Sequence, residues 1–232
     1  MIIKCRPANC RGFADHGWLK TRHAFSFADY HDPDWMGWRC LRVMNEDWIA
    51  PGTGFPSHPH REMEIITLVL SGAIAHEDSI GNRGVLSQDE VQVMSAGRGI
   101  VHSEENRYEE ELHLYQIWIV PSQHGIDPCY DQKTFGPEDR VRQWQLIVSG
   151  DGEGGSLTIA QDVRISRRTQ CGNSFFENSI GESRGHWIQV ISGTVLIDEV
   201  TLESGDGAAI EGVDSYRIDV SQDSDLLLFD LP

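Results

Sequence analysis

Basic residues are scarce in this chain, and so are long apolar runs, helical periodicity and paired cysteines. Nineteen Lys and Arg stand against 36 Asp and Glu, which gives a formal net charge of −17. Such a surface repels phosphate backbones, so we expect no direct nucleic-acid binding through a basic patch. The acidic residues are spread along the chain, which is typical of a solvated acidic surface; docking onto a basic protein partner is the alternative.

The chain also lacks the segments that direct a protein into or across a membrane. No apolar stretch approaches the roughly 18 residues of a membrane span, and Met1–Pro7 lacks the apolar segment of a secretory signal. Five cysteines occur, an odd number, and none forms a C-x-x-C pair. These features favour a cytoplasmic protein with reduced thiols and no membrane partner.

Short strand-like runs recur instead of helical patterns, separated by Gly, Asp, Asn and Ser. Many short strands at regular spacing are typical of a β-sandwich or barrel. A segment with three prolines and several charges, Pro121–Arg142, is predicted to be a connection. The predicted strands are Leu41–Met44, Ile65–Leu70, Val91–Met94, Leu112–Val120, Gln143–Val148, Ser156–Ala160, Trp187–Ile191, Thr194–Ile197, Tyr216–Val220 and Leu226–Leu231.

The two halves of the chain resemble each other. Leu70–Ile74 (L-S-G-A-I) is similar to Ile191–Val195 (I-S-G-T-V), each with a strand, a glycine turn and a second strand. We therefore predict an all-β chain of two β-barrel domains of one kind, packed together, at residues 1–135 and 136–232. Because the second half has a single histidine, His186, we expect one metal site, in the first domain.

Two short motifs carry most of the functional information. His58-Pro59-His60 is followed about forty residues later by His102-Ser103-Glu104. Residues at i and i+2 project from the same face of a strand, so two such strands side by side direct three imidazoles and a carboxylate to one point. This donor set suits Fe(II), Mn, Co, Ni, Cu or Zn, and a facial arrangement leaves coordination positions open.

The context of these motifs resembles the two-motif cupin signature, G-x5-H-x-H-x3-E followed by a glycine turn with G-x2-H-x3-N. The residues at those positions are Gly52, Glu64, Gly99 and Asn106, beside the histidines. Five stretches narrow the resemblance to the pirins: Phe25–Phe27, Tyr30–Pro33, His58–His60, Ala75–Asp78 and Ser95–Glu104. Gly97 replaces the usual cupin proline, and the spacer to Gly72 is one residue longer, as in pirins; neither departure touches a ligand position.

The pirin resemblance runs from the N-terminus to about Val120 and includes the closing Leu228–Pro232. It implies a bicupin of two jelly-roll barrels. It also implies that His58, His60, His102 and Glu104 bind the metal, although Glu64 holds the position of the acidic ligand in the general cupin motif. Fe(II) is the expected ion, with Zn, Ni, Cu, Mn or Co as substitutes. His76 lies in a pirin-like stretch, and we expect it to support the site or the fold.

The resemblance further implies quercetin 2,3-dioxygenase activity: O2-dependent ring opening of a flavonol with release of carbon monoxide. The base that takes the proton of the substrate hydroxyl stays open between Glu104, Glu64 and a metal-bound hydroxide. Two other functions remain open. Pirins also act as redox-sensitive, metal-binding regulators of protein partners, and a sugar- or small-acid-binding cupin or isomerase would need no O2.

Overall fold

The computed structural model describes all 232 residues, and nearly all of its regular structure is β-strand. Three short 3-10 helices span Ala8–Cys10, Pro137–Arg140 and Glu153–Gly155, and no α-helix occurs. None of these helices has the length and hydropathy that crossing a membrane requires. The expectation of an all-β chain is confirmed.

Two compact units make up the chain. The N-terminal unit contains Gly12–Phe135 and Leu157–Gln161, and the C-terminal unit contains Met1–Arg11, Gly136–Ser156 and Asp162–Pro232. The expected first domain, 1–135, differs from this division at its start. Ile2–Arg6 joins the C-terminal unit because it pairs antiparallel with Gly207–Glu211, a partner that the local sequence does not reveal.

Twelve strands lie in the N-terminal unit. They are β2 (Gly12–Asp15), β3 (Leu19–His23), β4 (Leu41–Ile49), β5 (Thr53–His60), β6 (Glu64–Ser71), β7 (Ala73–Asp78), β8 (Arg83–Ser87), β9 (Glu90–Ser95), β10 (Ile100–Asn106), β11 (Leu112–Ile119), β12 (Cys129–Thr134) and β14 (Leu157–Thr158). The larger sheet runs in the order β12-β9-β6-β11-β4-β3-β2, and the smaller sheet runs β5-β10-β7-β8.

Ten strands lie in the C-terminal unit. They are β1 (Ile2–Arg6), β13 (Gln145–Ser149), β15 (Arg164–Gln170), β16 (Ser174–Ser179), β17 (Gly185–Ser192), β18 (Thr194–Ile197), β19 (Val200–Glu203), β20 (Gly207–Glu211), β21 (Ser215–Val220) and β22 (Ser224–Leu231). Here the larger sheet contains the order β1-β20-β17-β22-β15-β13, and the smaller sheet runs β16-β21-β18-β19.

The two units share one topology, so the similarity between the two halves is confirmed. The central order β9-β6-β11-β4 of the first unit corresponds to β20-β17-β22-β15 of the second, and β5-β10-β7-β8 corresponds to β16-β21-β18-β19. The turns at Gly72 and Gly193 connect the two sheets at equivalent points, with φ of +80° and +94°. Glycine adopts this backbone conformation without steric cost, which explains why both repeats carry it there.

Each unit is a jelly-roll-like pair of sheets, which confirms the expected bicupin class. The larger and the smaller sheet do not join into one continuous hydrogen-bonded cylinder, because each ends in its own edge strands, such as β2 and β8. Inside the N-terminal unit, apolar side chains fill one end between the sheets. These side chains are Leu19, Ile49, Val69, Ile74, Leu86, Leu112 and Leu114.

The predicted connection Pro121–Arg142 contains a strand that the sequence analysis missed. Cys129–Thr134 forms β12 and pairs in register with β9, from Cys129 opposite Ser95 to Thr134 opposite Glu90. Its residues, C-Y-D-Q-K-T, are mostly polar and lack an apolar alternation. An edge strand of this kind is stabilised by its neighbour's backbone, so its own pattern does not indicate it.

Candidate metal centre

Strands β5 and β10 bring the three predicted histidine ligands together. The strands pair antiparallel, with His102 opposite His58 and Ile100 opposite His60. The ring centroids lie 4.4 Å apart for His58 and His102, 4.8 Å for His58 and His60, and 4.9 Å for His60 and His102. One nitrogen from each ring lies within 4.8 Å of the others. The i, i+2 spacing therefore places these imidazoles at one point, as the motifs indicate.

Glu104 lies beside this group rather than inside it. Its carboxylate lies within 4.8 Å of nitrogens of His102 and His76, so His102 belongs to both groups. The register between β10 and β5 shifts between His102 and Glu104, whereas the pairing of β10 with β7 stays regular across the same residues. Glu104 thus keeps the inward direction of His102, and both side chains are 2% exposed.

A chain of polar contacts determines which nitrogen of His102 is available to a ligand. Asp78 Oδ2 lies 3.4 Å from His76 Nε2, and His76 Nδ1 lies 3.5 Å from His102 Nδ1. Although burial opposes it, hydrogen bonds from Asn82 lower the pKa of Asp78, so this carboxylate only accepts. His76 therefore donates from Nε2 and accepts at Nδ1, and His102 donates from Nδ1.

The consequence is a lone pair on His102 Nε2. That atom is buried and has no hydrogen-bond partner in the protein. An unsatisfied buried polar atom is costly, and a bound metal ion is one of the few groups that satisfy an acceptor nitrogen. His58 has a similar arrangement, because its Nδ1 lies 2.8 Å from the carbonyl oxygen of Pro56 and leaves Nε2 available.

The environment also keeps the imidazoles of His60 and His102 neutral, which metal binding requires. Burial, and then the neighbouring His58, lower the pKa of His60 to about 4. Burial, and then the adjacent histidines, lower the pKa of His102 to about 3. His60 is further held by the indole of Trp118, which it meets edge-on at a centroid distance of 5.0 Å.

A row of polar side chains supports Glu104 from the larger sheet. Gln116 Nε2 donates to Glu104 Oε2 at 3.0 Å, and Thr67 Oγ1 lies 3.4 Å from Glu104 Oε1. Burial raises the pKa of Glu104 to about 7, and the contact with Thr67 opposes part of that rise. Neither Thr67 nor Gln116 was predicted from the sequence, although each is a polar residue at an inward position of an apolar strand.

Glu64 does not lie in the wall of this cavity. It shares β6 with Ile65, which lines the cavity, and neighbouring residues of a strand point to opposite faces. Its carboxylate accepts a hydrogen bond from Ser95 Oγ at 2.5 Å. Burial raises the pKa of Glu64, against hydrogen bonds from Ser95 and the backbone of Ala160. These contacts do not reach the histidine cluster.

A cavity of about 370 Å3 opens onto the cluster. This volume lies within the roughly 300–1,000 Å3 typical of small-molecule sites. Three aromatic side chains line it: Phe27, Phe55 and Trp118. Phe27 meets Trp118 edge-on at 5.3 Å. Aromatic and apolar walls with a few convergent polar groups suit a flat organic ligand.

Asp47 is a second buried carboxyl group in the wall of the same cavity, and sequence reasoning missed it. Burial raises the pKa of Asp47 to about 7; a hydrogen bond with Thr21 opposes the rise and the nearby Glu46 adds to it. Asn45, two residues earlier on β4, also lines the cavity, and its Oδ1 lies 2.8 Å from His23 Nδ1. Asn45 and Asp47 are polar residues at alternate positions of the buried strand β4, and this pattern could have identified them from the sequence.

Two jelly-roll units of one topology, with a histidine cluster between the sheets of the first, define the chain as a two-domain cupin. Comparison with known proteins agrees with this class. Residues 5–119 match the family model described as Pirin, and residues 146–231 match the model described as the quercetinase C-terminal cupin domain.

Relatives and solved structures cover the whole chain. Quercetin 2,3-dioxygenase of Escherichia coli strain K12 is 47% identical over 232 residues, which cover 100% of this chain and 99% of that protein. The Pirin-like protein of Caulobacter vibrioides is 41% identical and covers 99% of each chain. A crystal structure of the E. coli bacterial pirin YhhW in complex with nickel(II) has a TM-score of 0.95 at 46% identity, covering 100% of this chain and 99% of that one. The chain belongs to the pirin family.

Proposed function

We propose that this pirin is a metal-dependent dioxygenase that opens the ring of a flavonol such as quercetin with O2 and releases carbon monoxide. The observation that carries the proposal is the cluster of His58, His60 and His102 beside a cavity with aromatic walls. The name of the E. coli relative, quercetin 2,3-dioxygenase, supports the choice of substrate.

The residues present fit a divalent transition metal. His102 Nε2 is a buried acceptor without a partner, and one nitrogen from each of the three imidazoles lies within 4.8 Å of the others. We propose His58, His60 and His102 as ligands, with Glu104 as the fourth. Fe(II) is our proposed native ion. Imidazole and carboxylate donors also accept Ni, Zn, Cu, Mn and Co, and the nickel complex of the relative accords with that tolerance.

The protein's own side chains have three tasks in this proposal. The contacts of His76 and Asp78 orient His102, and those of Gln116 and Thr67 orient Glu104. The aromatic walls hold the flavonol plane at the cluster. Glu104 is our candidate acceptor for the proton of the 3-hydroxyl, because Glu64 lies on the other face of β6. A bound divalent metal ion would lower the pKa of a coordinated hydroxyl by several units.

The test is turnover by metal-loaded protein. Protein reconstituted with Fe(II), and in parallel with Ni(II), is incubated with quercetin in air and under anaerobic conditions, while the flavonol absorbance and carbon monoxide are followed. We expect oxygen-dependent loss of the flavonol with one carbon monoxide for each molecule consumed. No turnover with any metal would contradict the enzyme proposal and would favour the redox-sensitive regulator.

A matched pair of variants tests the site itself. His102→Ala removes the shared imidazole, so we expect loss of both bound metal and activity. His124→Ala is the control, since His124 is exposed and bonds Glu62 away from the cavity. Full turnover by metal-free His102→Ala protein would show that the cluster is not the reaction centre.

A further inference from the structure

The wall of the cavity carries an acceptor group that the protein leaves unsatisfied. Asp47 is 3% exposed, and its Oδ1 is buried without a hydrogen-bond partner in the protein. Thr21 is the one side chain that bonds this carboxyl group, and Thr21 lies opposite Asp47 where β3 pairs with β4. A half turn about the Cβ–Cγ bond exchanges the two oxygens, so either one can serve an incoming donor.

The protein compensates only weakly for this carboxyl group: His113 lowers the pKa of Asp47, but burial raises it more. The cavity is lined by no Lys or Arg, and its histidines are His16, His23, His58, His60 and His102. Its acidic neighbours add no compensation, since Glu46 raises the pKa of Asp47 and Asp47 in turn raises the pKa of Glu104. A buried acceptor without a partner costs free energy, and a ligand hydroxyl that donates to it recovers that cost on binding. The position therefore favours a ligand with a hydroxyl donor.

Asp47 is also separate from the histidine cluster. It lies on β4 of the larger sheet, whereas His58, His60 and His102 lie on β5 and β10 of the smaller sheet. Both groups line the same cavity. A rigid ligand that reaches the cluster with one edge can thus meet Asp47 with another group.

We propose that Asp47 accepts a hydrogen bond from a hydroxyl of the bound substrate other than the one at the reacting ring carbon, and that this contact selects polyhydroxylated flavonols over flavonols without further hydroxyls. The inference rests on the proposed flavonol dioxygenase function and adds its specificity determinant. Sites built to bond a ligand hydroxyl reject analogues that lack it, because the buried group is then left unpaired.

The test compares two flavonols that share the 3-hydroxyl and the 4-carbonyl. Quercetin carries four further hydroxyls, and 3-hydroxyflavone carries none. Dissociation constants and kcat/KM are measured for both on metal-loaded wild type, Asp47→Leu and Asp47→Asn. We expect wild type to prefer quercetin and Asp47→Leu to lower that preference about tenfold, which corresponds to about 1.4 kcal/mol. Asp47→Asn keeps an oxygen acceptor and should fall between them.

Glu46→Gln is the matched control. Glu46 adjoins Asp47 on β4 but bonds His113 and does not line the cavity, so its replacement should leave the preference for quercetin unchanged.

A preference for quercetin that is unchanged in Asp47→Leu overturns the inference. If Asp47→Leu does not fold, a preference in Asp47→Asn equal to that of wild type overturns it instead. Binding of both flavonols without turnover overturns the dioxygenase function alone, because the ratio of their dissociation constants still tests the role of Asp47 in selecting quercetin. Failure to bind either flavonol overturns both.

Discussion

The hydrogen bonds of individual ring nitrogens decide what the histidine cluster can bind. His102 presents a free Nε2 because its Nδ1 is engaged by His76, which is in turn held by Asp78. His76 supplies no atom to the group formed by His58, His60 and His102. Its effect on the metal is therefore indirect, through the orientation and tautomer of one ring.

Replacing His76 should weaken metal binding without removing a proposed ligand. We expect His76→Leu to lower metal affinity roughly 10- to 100-fold, because His102 loses the acceptor for its Nδ1. The measurement is a titration of metal-free protein with Ni(II) against a competing chelator. His76→Gln is the control, since its amide oxygen can accept the same hydrogen bond and should recover part of the affinity. Wild-type affinity in His76→Leu would show that the relay does not orient His102.

Asp47 should make stability depend on pH. Its pKa is raised by burial from 3.8 to about 7, so between those values the folded protein holds a proton that the unfolded chain releases. Stability contributed by this group is therefore lost as the pH rises from about 4 to about 7. Asp47→Asn should reduce that decline by roughly 2 kcal/mol. Urea unfolding of metal-free protein at about pH 5 and pH 8 measures it. An equal decline in both proteins would contradict the burial argument.

At the scale of elements, one row of inward residues crosses five strands of the larger sheet. The register places His23 beside Asn45, Asn45 beside Gln116, Gln116 beside Thr67, and Thr67 beside Gln92. These polar side chains interrupt strands that are otherwise apolar on that face, where they cost stability as core residues. These side chains lie behind Glu104 and along the cavity. Among them, Gln116 and Thr67 supply hydrogen-bond donors to the buried carboxylate of Glu104.

The turn between the two sheets is a second determinant at this scale. A Cβ added at Gly72 would lie 3.0 Å from Leu112 Cα, and φ there is +80°. Gly72→Ala should therefore lower the free energy of unfolding by roughly 1–3 kcal/mol. Gly81→Ala is the control, because Gly81 also has a positive φ of +98° but open space around it. Chemical denaturation should show the larger loss for Gly72→Ala; an equal loss would mean that close packing at this turn contributes nothing.

For the whole molecule, the first strand of the chain belongs to the C-terminal unit, most of which is formed by residues after Phe135. β1 pairs with β20 at the edge of the larger sheet of the C-terminal unit, where β12 pairs with β9 in the N-terminal unit. The histidine cluster lies in the other unit, on β5 and β10. The two ends of the chain are thus tied together in a unit that contains none of the proposed ligands.

Removal of residues 1–6 should accordingly affect the C-terminal unit first. We expect the amides of β20 that bond β1 to exchange with solvent faster, because an unpaired strand edge loses its protection. Hydrogen exchange followed by mass spectrometry would show the change at Gly207–Glu211 and leave Ile100–Asn106 protected. Faster exchange at Ile100–Asn106 instead would contradict the assignment of β1.

The local sequence pattern by itself determined the fold class of this protein and the shared direction of its histidine ligands. Short strand-like runs separated by glycine and polar residues indicated an all-β chain with a repeated half, since strand formation and positive φ at a turn depend on neighbours in sequence. The i, i+2 spacing of His58, His60 and His102 indicated their shared direction for the same reason. Tertiary structure alone decided that β1 pairs with β20, that Glu64 turns to Ser95, and that Thr67, Gln116 and Asp47 face the site. Those outcomes depend on which strands lie side by side, and strand pairing joins residues far apart in sequence, where no local periodicity records the partner.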